Sequence, residues 1–433
     1  RFMPLSILAN PELRRILRAK QGYKRSLPSK RSPAAWYAKY CKTQAVAAVK
    51  PWNMEKVKAA FTQVQKRLTI LPKLSPISIE SALPFFADLT KSAGFNKSGA
   101  KTKNDLTMSE IQSVEDRLAT GDTLQDYPYR MAFRSHLVKV TEPDKVRVVL
   151  VSPGPLAIVE KTFAGPLQDA LMASPFRVWA SGWCWDRQGG QQINHRFPVE
   201  QTTSVDFAAF DNSSPIWFVR WVFKLMENCF DLTEREVTIL RAIRDNHCSA
   251  EVWTDKQKYT LTGGIRTGSS FTHIIGTFTA MVLMEYIGAE DYLCYGDDCL
   301  IRNMSPKEVR RALSDTSFTL NDSKTTRGIE WLGLRLVNGK WYLQDPIKRM
   351  AQLALPPPSK NDWDIVSRIQ SHVLNMGVDP LAKRLLGILR DTGNSALSPL
   401  LREELAMWGQ TFDGCQYRTI DSLYEYINLE FVK

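Results

Sequence analysis

The chain has 433 residues, room for two to four folding units, and its 44% hydrophobic and 24% charged content exclude a fibrous or wholly disordered protein. A formal net charge of +12 favours a polyanionic partner, nucleic acid ahead of an anionic membrane. Seven widely spaced cysteines with no CxxC pair exclude a disulfide framework and a cysteine zinc site, and no apolar run is long enough to predict a membrane span.

The positive charge gathers at the start. Residues 1–50 hold twelve Lys or Arg against one acid, Glu12, so the rest of the chain is close to neutral. Arg14, Arg15, Arg18, Lys24, Arg25, Lys30 and Arg31 would suit an RNA channel, while Trp36, Tyr37 and Tyr40 predict that part of the segment packs. A solvated tail or a localisation signal fits the same composition. Val146–Val151 reads as a short strand on which Lys145 and Arg147 alternate toward one side. The plainer reading is an edge strand with protective charges. Ala157–Met172 is helical, Ser204–Phe207 reads as a buried strand, and Ile216–Glu227 is apolar at helical spacing.

A Gly263-Gly264 turn precedes a helix predicted over 269–286. Tyr292–Ile301 is two apolar strands around Tyr295-Gly296-Asp297-Asp298, a hairpin signal. Ser305 caps a helix with Pro306 at its first position, and Asn338-Gly339 splits two further strands as a hairpin turn. Pro356–Pro358 reads as a linker, and four short helical patterns follow it. This order describes an α+β protein, an antiparallel sheet with helices behind it.

Acids carry the candidate chemistry. Phosphoryl transfer with two divalent cations needs carboxylates on rigid supports, with the ions about 3.5–4 Å apart. Asp297 and Asp298 sit in a tight turn, and Asp206 at the end of a buried strand is the natural third. An Asp-Asp turn alone is usually a solvated turn. Asp206 and Asp211 upstream, with a Gly-rich turn and a helix between the two sites, favour the catalytic reading. Cys294 and Cys299, flanking the turn, read as small core residues, and the five histidines lack ligand spacing.

Taken in order, these segments resemble the motifs of viral RNA-dependent RNA polymerases. Ser204-Val205-Asp206-Phe207-Ala208-Ala209-Phe210-Asp211 resembles motif A, Thr267-Gly268-Ser269-Ser270-Phe271-Thr272 motif B, and the Gly-Asp-Asp turn motif C. Lys324 stands where motif D carries its lysine, and Trp331-Leu332-Gly333-Leu334-Arg335 resembles motif E. Lys145-Val146-Arg147-Val148-Val149 resembles motif F and Ser92-Ala93-Gly94-Phe95 motif G. The run Lys145–Leu167, with Glu160-Lys161, and Gly268-Ser269-Ser270-Phe271-Thr272 are similar to the partitivirus and picobirnavirus group of double-stranded RNA viruses.

The resemblance implies a right-hand polymerase fold. Its expected parts are a basic segment 1–80 that bridges fingers to thumb, fingers over 81–200, a palm over 201–345 with a fingers insertion at 215–262, and a thumb over 346–433. It implies Asp206, Asp297 and Asp298 as holders of two Mg²⁺ ions, with Mn²⁺ as a substitute, and Lys324 as a proton donor. Lys145, Arg147, Asp211, Asn212, Gly268, Ser269 and Thr272 would meet the nucleotide. Ser92, Gly94, Arg14 and Arg15 would meet RNA. The implied partners are RNA template and product, NTPs and a viral capsid protein, in the virion interior and host cytoplasm. One departure stands out: many of these enzymes carry Asn four residues after the motif B threonine, where this chain has Gly276. Sugar recognition should then rest on Asp211, Ser269, Thr272 or Asn212. A reverse transcriptase also has an Asp-Asp hairpin, but it typically puts a bulky side chain where Asp211 stands. A basic genome-packaging protein would not need the ordered acids.

Overall fold

The computed structural model describes residues 7, 9–18, 22–174, 177–185, 189–355, 365–407 and 418–429, so the Pro356–Pro358 linker lies outside the described residues. Helix α1 (Pro11–Arg18) leads through strand β1 (Tyr23–Arg25) to helices α2 (Ser32–Val49), α3 (Met54–Leu68) and α4 (Met108–Ala119). Strands β2 (Tyr129–Ser135), β3 (Leu137–Lys139) and β4 (Val146–Val151) precede the long helix α5 (Gly154–Ala173). Then come β5 (Thr202–Val205), β6 (Phe207–Ala208), α6 (Ile216–Glu227), α7 (Glu234–Cys248), β7 (Ser249–Trp253), β8 (Lys258–Thr262) and α8 (Thr272–Tyr286). The hairpin β9 (Tyr292–Tyr295) and β10 (Asp298–Arg302) is followed by α9 (Pro306–Ala312), β11 (Thr319–Leu320) and β12 (Thr326–Arg327). Strands β13 (Ile329–Trp331), β14 (Leu334–Val337) and β15 (Lys340–Leu343) lead to α10 (Pro346–Ala354), α11 (Ile365–Leu374), α12 (Pro380–Asp391), α13 (Pro399–Met407) and α14 (Ile420–Leu429).

Local chemistry accounts for the boundaries that matter. Ser305 and Glu308 form a capping box at the start of α9, with Pro306 at the first helical position. Asn338 and Gly339 both take positive φ, 48° and 73°, which closes β14 onto β15 through a two-residue turn. Helix α8 is apolar around its whole circumference and is buried over nearly its full length, as such a helix must be.

Two four-stranded sheets organise the molecule. One is antiparallel, in the order β12-β5-β10-β9. The other, β4-β2-β7-β8, joins strands far apart in sequence, and its β2–β7 pair is parallel. Strands from 249–262 thus complete a sheet begun at 129–151. A core of α3, α5, α6, α7 and α8 backs the first sheet. A second core gathers α1, β13–β15 and the helices from α10 onward, and a third lies on the second sheet.

The described residues up to Leu68 are distributed over all three cores. Leu13 and Ile16 of α1 bury among the C-terminal helices, while Val57, Phe61 and Val64 of α3 belong to the first core. Strand β1 pairs with β3, and its Tyr23 hydroxyl donates to Asp345 at 3.0 Å. Arg25 Nε donates to the Leu355 carbonyl at 2.6 Å. Tyr37 packs on Tyr259, its hydroxyl donating to the Thr260 carbonyl. These contacts tie the described part of the segment to elements far along the chain.

Two boundaries differ from expectation. The run read as one strand over Ser204–Phe207 breaks at Asp206: β5 pairs with β10 and β12, whereas β6 pairs with β11. The helix expected from 269 begins at Thr272, because Ser269 and Ser270 spend their polar groups on helix α5.

Candidate active site

The acids meet at the open end of the first sheet. Cys299 pairs with Val205 across β10 and β5, so one further step of this antiparallel register sets Asp298 beside Asp206. Gly296 turns the hairpin with φ of 60°, a conformation glycine adopts without strain. Its N–H donates to Thr277 Oγ1 at 3.0 Å, which ties the turn to buried helix α8. Asp206 is held by its backbone. Its N–H donates to Thr325 Oγ1 at 3.2 Å, and its carbonyl accepts from the Asn321 N–H at 2.8 Å. The loop that anchors Asp206 therefore also carries Lys324, whose Nζ lies 3.8 Å from Asp206 Oδ2.

The charge balance of the cluster is unfavourable. Burial pushes Asp298 up to about 7, with Asp297 and Asp206 adding repulsion and Lys324 opposing them. Burial likewise pushes Asp211 up to about 6, helped by Asp297 and opposed by Arg147. Asp297 is raised too, by the protein around the turn first and by Asp206 second, although water reaches its side chain. Lys324 and Arg147 are the cations that act on these acids, and both are exposed. A carboxylate cluster with so little internal compensation suits external cations. Among the described residues no group of three potential ligands closes on a single point. Mg²⁺ takes one or two carboxylates and completes its shell with water and phosphate. Hard oxygen donors at a solvent-reached turn fit such an ion.

Other expected residues fall into two sets. Arg147, on β4, is exposed, and its charge opposes the upward shift of both Asp211 and Asp297. Lys145 stands just before β4 and is exposed, its carbonyl accepting a hydrogen bond from Ser26 Oγ. Asn212 is half-buried beside Asp211, and its carbonyl accepts from Gln44 Nε2 at 2.7 Å. The second set is engaged in the fold. Ser269 Oγ donates to Glu160 at 3.0 Å, and Thr272 Oγ1 lies 2.7 Å from the Arg266 carbonyl and 2.6 Å from the Ser269 carbonyl. Gly268 presses on β4, where a Cβ would fall 1.8 Å from the Leu150 carbonyl oxygen. Gly94, with φ of 60°, presses in the same way on Ser152, and Ser92 Oγ accepts its N–H. Arg14 and Arg15 are exposed on α1, against the C-terminal helices, with Arg15 paired to Glu12.

Gly276 lies across from the turn: a methyl there would meet Gly296 Cα at 3.6 Å and Phe210 at 3.8 Å. Sequence reasoning passed over Thr277 and Thr325, buried hydroxyls that hold the turn and Asp206. Glu160 stands out in the sequence only within the resemblance. Its signal was present, since an acid inside an apolar helix needs partners. Beside Tyr295 and His273 a cavity of about 390 Å³ opens between the hairpin and the C-terminal helices, reaching Leu374 and Leu401.

The fold is the right-hand polymerase fold. The chain superposes on the Sicinivirus 3Dpol RNA-dependent RNA polymerase with a TM-score of 0.65 at 15% identity, covering 90% of this chain and 93% of that one. It superposes on the RNA-dependent RNA polymerase of a human picobirnavirus with a TM-score of 0.63 at 13% identity, over 96% and 84% of the two chains. The sequence profile described as viral RNA-dependent RNA polymerase matches residues 13–364, and the chain belongs to that family. It is 27% identical over 238 residues to the RNA-directed RNA polymerase of Cryptosporidium parvum virus 1 (strain KSU-1), a match spanning 53% of this chain and 42% of that protein. Among the described residues no helix is long and apolar enough to cross a membrane.

Proposed function

We propose that this chain carries out template-directed RNA synthesis from NTPs, serving replication and transcription of a double-stranded RNA viral genome. The observation that carries the reading is the junction of Asp206 with the Asp297-Asp298 turn, opposite a basic strand. Asp206 and Asp297, with Asp298 in support, would hold two divalent cations, Mg²⁺ or Mn²⁺, which when bound activate the primer 3′-hydroxyl and stabilise charge on the α-phosphate. Arg147, with Lys145 behind it, binds the triphosphate, its planar fork suited to phosphate oxygens. Asp211 accepts a hydrogen bond from the ribose 2′-hydroxyl. Lys324 gives a proton to the leaving pyrophosphate. Parts of the chain follow the hand: fingers on the β4-β2-β7-β8 sheet, palm on the sheet of the acids, thumb from α10 onward. RNA template and product are the proposed partners, with a capsid protein where synthesis occurs inside the particle.

The test is incorporation of labelled NTP on a single-stranded RNA template, with and without primer, in Mg²⁺ and then EDTA. Incorporation that EDTA abolishes is expected. Asp297→Asn, which keeps shape and removes charge, should abolish synthesis, by about 10³-fold or more, while RNA binding persists. Synthesis at the wild-type rate in that variant would overturn the assignment.

A further inference from the structure

The loop 266–271 packs between the basic strand and helix α5. Gly268 abuts the Leu150 carbonyl with no room for a side chain. Thr267 Oγ1 accepts the Leu150 N–H at 2.9 Å. On its other side the loop meets helix α5. Glu160 is 1% exposed, and its Oε2 accepts both the Ser269 hydroxyl, at 3.0 Å, and the Ser270 N–H, at 2.7 Å. Ser270 Oγ then donates to the Ala157 carbonyl at 2.7 Å, so the loop is stitched to α5 twice.

A carboxylate wholly inside an apolar helix is costly to keep. Apolar replacement would serve packing alone, so the two hydrogen bonds to the loop are what Glu160 supplies. The polar and charged groups around it are Ser269 and Ser270 on the loop, Lys161 on α5, and Tyr129 on β2 with Arg266 beyond it. Leu150 stands three residues from Arg147 on one short strand. Loop and strand meet at Thr267 and Gly268, so a shift of one is felt by the other.

We propose that Glu160 is a positioning residue for nucleotide binding: through Ser269 and Ser270 it sets the loop that locks strand β4, and thereby sets Arg147 against the triphosphate. This rests on the polymerase reading above. Burial pushes Glu160 up to about 7, against the hydrogen bonds from Ser270 and Ser269 and the charge of Lys161. The ionised carboxylate is the stronger acceptor, so the clamp tightens as pH rises through about 7. Stability runs the other way. A carboxylate whose pKa is raised on folding contributes most below its ordinary value, and that contribution is lost as pH rises to the folded value. Glu160→Gln removes this cost at pH 8 and should not lower the melting temperature there.

The test is single-nucleotide incorporation by the full chain on primed RNA in Mg²⁺, with KM and kcat measured from pH 6 to 8. Glu160→Gln should raise the NTP KM about tenfold at pH 8, leave kcat within about twofold, leave RNA affinity unchanged, and flatten the pH dependence of KM near 7. Combining it with Ser269→Ala should add little, since both remove one contact. Thr267→Val, which cuts the loop from Leu150 and leaves Glu160 intact, should raise KM in the same way and tests the coupling should the Gln variant misfold. A stable Glu160→Gln variant with wild-type KM at pH 6 and pH 8 would overturn the proposal. So would a drop in melting temperature and active fraction with KM unchanged, the mark of a purely structural role. Absence of any metal-dependent incorporation by the wild type would instead remove the polymerase reading, and this one with it.

Discussion

Two groups of acids in this molecule are built in opposite ways. At the end of α4, Arg117 clasps Asp126 through two hydrogen bonds, at 2.7 and 3.1 Å, and Asp122 through a third at 2.7 Å. Lys97 adds its charge, and the Arg117 hydrogen bonds hold Asp126 well below the usual carboxylate range. At the hairpin, Asp297, Asp298 and Asp211 are all pushed the other way, and Lys324 reaches Asp206 only at 3.8 Å. The first group is closed by its own cations and serves the fold. The second lacks that closure, which is the difference the proposed function draws on.

The largest effect that sharpens this comparison comes from Lys324. Its contact with Asp206 is longer than a hydrogen bond and its side chain is 63% exposed, so it is free to meet a leaving group. Lys324→Ala should lower kcat about 10²-fold, the lower end for general acid help, and move the pH profile of kcat; rapid-quench kinetics would show both. An unchanged kcat would make it an ordinary surface lysine.

Next in size is sugar choice. The hydroxyls of Ser269 and Thr272 are engaged by Glu160 and by backbone carbonyls, which leaves Asp211, with Asn212 beside it. Asp211→Ala should cut the NTP over dNTP ratio of kcat/KM about tenfold, the scale of one charged hydrogen bond. A constant ratio would move the role to Asn212.

The smallest effect lies in the closed cluster. Arg117→Ala should lower the melting temperature by about 2 °C and leave kcat and NTP KM as they were. A loss of activity without a loss of stability there would break the comparison.

What could be read from the residues follows the range of the forces involved. Asp206, the Gly-Asp-Asp hairpin and the Asn338-Gly339 turn were legible because period-two patterning and turn chemistry are local. The break of β5 at Asp206 was not, because its cause is Thr325, more than a hundred residues away. The packing of the first segment was visible only as interleaved aromatics; that Tyr23 would meet Asp345 is a long-range fact. Ser269 and Thr272 carried the right motif, yet their hydroxyls turn inward toward Glu160 and Arg266, which spacing alone does not disclose.

The most direct measurement of the central claim is the thermal melting of wild type and Asp298→Asn at pH 8, each with and without Mg²⁺. An acid cluster so weakly compensated by its own cations should be relieved by losing one charge. The variant should therefore melt about 2 °C higher than wild type in EDTA, and Mg²⁺ should raise the wild type more than the variant. A variant that melts lower in EDTA and gains as much from Mg²⁺ as the wild type would contradict the account.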